Sequence, residues 1–369
     1  MIIPGEAKMD TADTRTLGKK RLIVYIAVAY CISFLMMIPM YIGKKNGVDL
    51  TQIVNAQMCS PAAAVALGLL LFYKGEKRVP KFFMTVLVIN YVIQLILGIV
   101  SVIFTPAGAV LKFLPGGTSF WAAIGSSVLV ICSILLWIAY FVAGKEGRKF
   151  AGLSRNNEGK GLFLVFLFAV LFIVRNIGPL LLDGLINKTM PIYQAQYSEL
   201  VKNPLFIPAL LGLLINYPLT IIAFLGEEYG WRYFLMPIMQ KKFGLKLGVI
   251  LLGIVWGLWH IPVDTFFYTE DSVPQMITGQ IITCIFLGIF FGYAYLKTNN
   301  IWVPVAMHFL NNNLIPIITG SFSGDVLQNQ HIEWLYLIEV FVLDFIFFGL
   351  FIFAKEYRGR KKAKEATDA

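Results

Sequence analysis

Long apolar runs separated by short polar connections set the pattern of the chain. Within each run the apolar residues are continuous, which excludes the period-two alternation of a membrane barrel strand. Runs of about 20 apolar residues have the length a helix needs to cross a bilayer core. The pattern predicts ten helical spans, near residues 22–43, 52–73, 82–104, 120–143, 162–183, 204–239, 246–263, 275–296, 301–318 and 334–354. The sixth is too long for one straight crossing, and Pro218 offers a place to break it. The longest polar connection, about residues 184–203, reads as an ordinary loop. No stretch is long enough for a separate soluble domain. Five spans fall in residues 1–200, four in 201–330, and the last span with a basic tail in 331–369.

Composition turns this pattern into a fold class. Of 369 residues, 58% are hydrophobic and 14% charged, against about 25% charged in soluble domains. The expectation is an all-α polytopic transmembrane bundle of about ten helices. Its net charge of +10 first suggests nucleic acid. However, Lys and Arg concentrate in alternate connections and in the tail KEYRGRKKAKEATDA, which is the positive-inside pattern. It implies cytoplasmic termini at both ends and an even number of spans. The basic excess is a topology signal that needs no nucleic-acid partner; membrane lipids are the partner it implies. The four cysteines sit in apolar segments without CxxC spacing and read as small hydrophobes. The first segment is longer than a signal-peptide core and is expected to stay as a span.

Ionisable residues are rare at membrane depth and usually face a cavity or a partner, so the few present carry the chemistry. GEEYGWR, residues 226–232, follows directly on an apolar run. On a helix Glu228 and Arg232 are i and i+4 and can pair, which leaves Glu227, rotated by about 100°, as the uncommitted carboxylate. Of three histidines, His331 falls in a polar loop and reads as a solvated side chain, whereas His260 and His308 lie inside spans. At 1.5 Å per residue Glu227 lies about 21 Å from Lys241, His260 about 22 Å from Leu245, and His308 about 17 Å from Lys297. All three can therefore meet at one depth. His308 and Asn312 are i and i+4 and can face the same chamber, while Asn311 and Asn313 are read as interhelical hydrogen-bonding groups. A carboxylate with a histidine opposite can deprotonate a water, and two further donors can hold an oxyanion. That inventory suits peptide hydrolysis better than ion passage. Arg175, Asp344 and Asn90, isolated in apolar runs, could line a substrate groove; they are read instead as pairing with other helices or snorkelling toward an edge.

GEEYGWR, then Trp256 to His260 as WxxxH, then His308 to Asn312 as HxxxN, resembles the motif set EExxxR, FxxxH, HxxxN of the intramembrane CAAX-protease and bacteriocin-processing (abortive-infection, CPBP) family. Trp256 stands where that family usually has phenylalanine; both are large aromatics that can pack one turn before the histidine, so Trp256 is read as a packing support of the site. Residues 205–320 carry the resemblance, and MCSPAAAVAL in the second span resembles a small-residue stretch found upstream in it. The resemblance implies Glu227 and His260 activating water, Glu228 and Arg232 supporting the site, and His308 with Asn312 forming the oxyanion site. It also brings a metalloprotease label, with Glu227, His260 and His308 as candidate zinc ligands. One Glu and two His are an acceptable catalytic zinc set; a metal-free glutamate mechanism is the competing account.

The expected activity is thus endopeptidase cleavage of membrane-anchored, lipidated or hydrophobic peptides, with compact loops favouring a bacterial cell membrane. The alternatives are a secondary transporter using the same residues as a proton relay, and a non-catalytic bacteriocin-immunity protein.

Overall fold

A computed structural model describes residues 11–104, 110–111, 118–320 and 328–358. The basic tail beyond Arg358 lies outside the described residues. Twelve helices account for nearly all of the described chain: α1 (Thr16–Lys45), α2 (Thr51–Phe72), α3 (Lys81–Ile103) and α4 (Phe120–Val142), then the short α5 (Gly144–Phe150). Next come α6 (Glu158–Ile186), α7 (Met190–Lys202), α8 (Phe206–Phe243), α9 (Leu245–Tyr268) and α10 (Val273–Thr298). The last two are α11 (Trp302–Thr319) and α12 (Trp334–Phe347). A two-residue antiparallel ladder, Val110 with Ser119 and Leu111 with Thr118, links α3 to α4.

Eight of these helices are long and apolar enough to cross a membrane. The other two expected spans are helical but different in kind. His308 and three asparagines interrupt the apolar surface of α11. Helix α12 has 14 residues and passes into 3-10 turns at Gly349–Phe353 and Lys355–Tyr357. The apolar surface faces outward, with Leu162, Leu214 and Leu335 each about three-quarters exposed. Gln52, Gln94, Glu228 and Arg232 are in turn buried. That inversion is what lipid demands, because unpaired polar groups in hydrocarbon cost several kcal/mol.

Two expectations are corrected here. Residues 190–202 form a helix, not a loop: Pro191 occupies its first turn, where a missing N–H costs nothing. Asp183 also accepts from Thr189 and Tyr193 and ties that end to α6. Helix α8 does not break at Pro218. Trp137 Nε1 donates to Pro218 O at 3.0 Å and Ile222 N donates to Ser133 Oγ at 3.3 Å, so α4 holds the backbone of the turn that follows the proline. The irregularity lies later, in a π-helical turn at Tyr229–Leu235. Similar turns occur at Ala27–Ile32 and Asp264–Tyr268.

Small residues set the distances between the central helices. A Cβ added to Gly226 of α8 would lie 2.5 Å from Met58 O of α2, and one on Gly230 would collide with Pro61. The MCSPAAAVAL stretch is the surface on which α8 lies. Gly253 and Gly257 of α9 bring that helix equally close to the backbone of α10 at Ile285 and Ile281, the use to which small-xxx-small spacing is put in membranes. We predict that Gly226→Ala lowers stability by about 1–3 kcal/mol through overpacking. Gly212→Ala, where an added Cβ meets nothing within 4 Å, should be neutral or stabilise by up to about 1 kcal/mol. Thermal unfolding in one detergent compares the two.

Candidate active site

The first motif lies across the junction between α-helical and π-helical turns in α8, a geometry frequent at functional sites. Glu227 and Glu228 end the regular helix, and Arg232 follows within the wider turn. Arg232 Nε is 2.8 Å from Glu228 Oε2, and both side chains are fully buried. Its N–H is not aligned on that oxygen, so the contact is an ion pair and not a directed hydrogen bond. The guanidinium lies over the Trp256 ring at 4.7 Å and the Phe291 ring at 5.5 Å, a second attraction that strengthens with desolvation.

Glu228 does more than hold the arginine. His308 Nδ1, on α11, donates to its other oxygen, Oε1, at 3.0 Å. That contact fixes the ring so that Nε2 faces Glu227 Oε1 at 3.9 Å. The separation is too long for a direct hydrogen bond and suits a water held between the two. Among the described residues no lysine or arginine forms an ion pair with Glu227. Its Oε2 accepts from Trp256 Nε1 at 2.8 Å and from Trp231 Nε1 at 3.2 Å, which leaves Oε1 directed toward the imidazole. The tryptophan in the second motif therefore supplies an N–H that phenylalanine cannot, and the substitution is not equivalent to simple aromatic packing.

His260 caps the regular part of α9. Its Nδ1 donates to Trp256 O at 3.0 Å, so in the neutral ring Nε2 carries the free lone pair. Trp259 packs edge-on against it at 4.9 Å, and Cys284 Sγ lies 3.9 Å from Nδ1. Asn312 accepts from Asn311 Nδ2 at 2.9 Å through Oδ1, which leaves its own amide hydrogens as donors. Asn311 thus lies beside the site, while Asn313 donates to Phe309 O in its own helix; neither makes the expected interhelical bond in the contacts seen.

Glu227, Trp256, His260, His308 and Asn312 all line one cavity of about 260 Å³. Glu228 and Arg232 stand behind it. Gln57 of α2, which the sequence reading passed over, also lines the cavity and donates to Trp259 O at 2.8 Å, next to His260. Its signal was a buried amide within a small-residue span. His331 lies apart, exposed, with Nδ1 3.0 Å from Asp271; that bond holds the Asp271 carboxyl below its usual range. Asn90 is buried away from the cavity and donates to Cys59 Sγ at 3.1 Å. Among the described residues no three His, Cys, Asp or Glu side chains are grouped to hold a metal ion. His308 Nδ1 is taken by Glu228 and Glu227 Oε2 by two indoles.

Residues 207–314 match the family model described as type II CAAX prenyl endopeptidase Rce1-like. The chain is also 30% identical to CAAX prenyl protease 2 of Methanococcus maripaludis over 29% of this chain and 39% of that relative. It thus spans well under half of that relative's length. No solved structure matches. The family match contains all three motifs, and together these likenesses support membership of the CAAX-protease family.

Removing one partner of a buried pair leaves a charge uncompensated, at a cost of about 3–5 kcal/mol. Arg232→Met should destabilise by that order, and Arg232→Met with Glu228→Gln should recover part of it. Unfolding midpoints of the two variants, purified in the same detergent, test the coupling.

Proposed function

We propose that this chain is an intramembrane endopeptidase that hydrolyses peptide bonds of membrane-anchored, lipidated or hydrophobic substrates. One observation carries the reading. A buried carboxylate is oriented by two indole N–H groups, with its free oxygen 3.9 Å from an imidazole nitrogen across a cavity. The likeness to a CAAX prenyl protease and the bundle of membrane-spanning helices support it. The location that follows is a multi-pass position in a cell membrane, with both termini on the cytoplasmic side.

In this mechanism a water sits between Glu227 Oε1, His308 Nε2 and His260 Nε2. Glu227 takes one proton, His260 accepts a hydrogen bond from the other, and the oxygen lone pair is turned to the scissile carbonyl carbon. As the new C–O bond forms, the carbonyl oxygen becomes an oxyanion that accepts hydrogen bonds from Asn312 Nδ2 and from His308 Nε2 in its protonated form. Collapse breaks the C–N bond as Glu227 returns its proton to the leaving amine, and the remaining hydroxyl proton of the new carboxylic acid passes to His260 Nε2, giving one carboxylate and one amine. Glu228 and Arg232 keep His308 in place and touch no substrate atom. No step requires a metal.

Glu227→Gln should keep fold and insertion but lower cleavage of a fluorogenic lipidated peptide by about 10²–10⁴-fold. Trp256→Phe, which removes one donor to a charged oxygen, should lower it roughly tenfold. Unaltered cleavage by purified Glu227→Gln protein would overturn the assignment. Activity unchanged by a chelator is expected; activity lost to chelator and restored by zinc would replace the metal-free steps with the zinc account.

A further inference from the structure

The cavity holds more charge than the reaction above uses. Arg175 of α6 and Asp344 of α12 pair with each other, Nε to Oδ1 at 2.8 Å, with side chains 15% and 3% exposed. This agrees with the expectation that each pairs with another helix. Thr283 of α10 donates to Asp344 Oδ2 at 3.2 Å, so both oxygens of Asp344 are engaged. Arg175, Thr283 and Asp344 line the same cavity as Glu227 and His308.

A tie between three helices does not by itself require an ion pair. Apolar side chains of similar volume generally serve as well or better, and such a tie has no reason to face a cavity. Guanidinium presents five N–H donors in a planar fork. Asp344 takes the one on Nε, Asn176 Oδ1 accepts from Nη1 at 3.1 Å, and the Tyr336 hydroxyl oxygen accepts another. Two of the five N–H hydrogens remain, and a guanidinium N–H makes its strongest hydrogen bonds to a carboxylate. Asp344 and Thr283 would hold that fork in place without offering the ligand a competing acceptor. The cavity is smaller than the roughly 300–1,000 Å³ common for ligand sites, so only a short stretch of chain fits between Arg175 and Glu227.

We propose that Arg175 is a substrate-anchoring residue that receives a carboxylate of the peptide while Glu227 addresses the bond to be cut. This rests on the peptidase reading, but its test does not need turnover. The probe is a fluorescent lipidated Leu/Ala/Val peptide in three forms: free C-terminal acid, C-terminal amide, and C-terminal amide with one Glu side chain. Binding is measured to full-length Glu227→Gln protein in detergent. At least one carboxylate form should bind about tenfold or more tightly than the plain amide, and which form does so identifies the source of the carboxylate. Adding Arg175→Gln should abolish the preference while leaving amide binding unchanged. The neutral pair Arg175→Gln with Asp344→Asn should do the same without an unpaired acid. In the active protein the same ratio should appear in KM, with kcat changed less than about twofold. Equal binding of all three peptides, or a preference that survives Arg175→Gln, overturns the proposal. If the preference holds but no peptide is cleaved by protein with Glu227 intact, the peptidase reading falls and the anchoring site stands.

Discussion

A charge inside a lipid-facing bundle must find its counter-charge within the protein, because water cannot supply it. Here that requirement converges on the Glu228 carboxylate. One oxygen meets the guanidinium of Arg232 and the other accepts from His308 Nδ1. The arginine lies over Trp256 and Phe291, so one carboxylate fixes the relation of α8, α9, α10 and α11. Everything proposed for Glu227, His308 and Asn312 presupposes this arrangement. Moving α11 would free His308 and leave a buried acid and a buried arginine to share an incomplete pairing.

Such a network needs helices that approach closely, and the packing provides this through absent side chains. Gly226 and Gly230 rest on the backbone of α2, and Gly253 and Gly257 rest on α10. Close approach also lets side chains reach foreign carbonyls. Gln57 donates to Trp259 O, Trp259 Nε1 to Ala29 O at 2.7 Å, and Tyr30 to Val255 O at 3.1 Å. These bonds hold the helix that carries His260 against α1 and α2, and the Ala29 carbonyl lies within the π-helical turn of α1. Rigidity around the imidazole is therefore built from helices far from it in sequence.

The helical class was legible because apolar run length reports on lipid directly, and the pairing of Glu228 with Arg232 because i to i+4 geometry is local. What escaped depends on neighbours. Pro218 looked like a break, yet Trp137 and Ser133 of another helix hold the turn that follows it. The Trp256 indole passed for a packing group until its N–H was found on Glu227. Arg175 and Asp344 lie far apart in sequence, and nothing in either apolar run names the other as partner. Gly253 and Gly257 form a readable small-xxx-small spacing, but only the fold shows that α10 is the helix they admit. Pattern reveals what a residue needs; only the fold shows who meets that need.

The two adjacent glutamates show how one short motif yields two kinds of carboxylate. A single step along the helix turns the side chain by about 100°, which suffices to give neighbours different surroundings. Glu228, in contact with a guanidinium and an imidazole and without exposure, is committed to holding structure together. Glu227 is oriented by two neutral indole donors at one oxygen, and its other oxygen borders a cavity. Had Arg232 reached Glu227 instead, the site would hold a satisfied ion pair and no group available to accept a proton. The wider π-helical turn after Glu228 is where the chain departs from regular geometry while the guanidinium stays on one carboxylate. The division of labour between the acids follows from their positions around one helix.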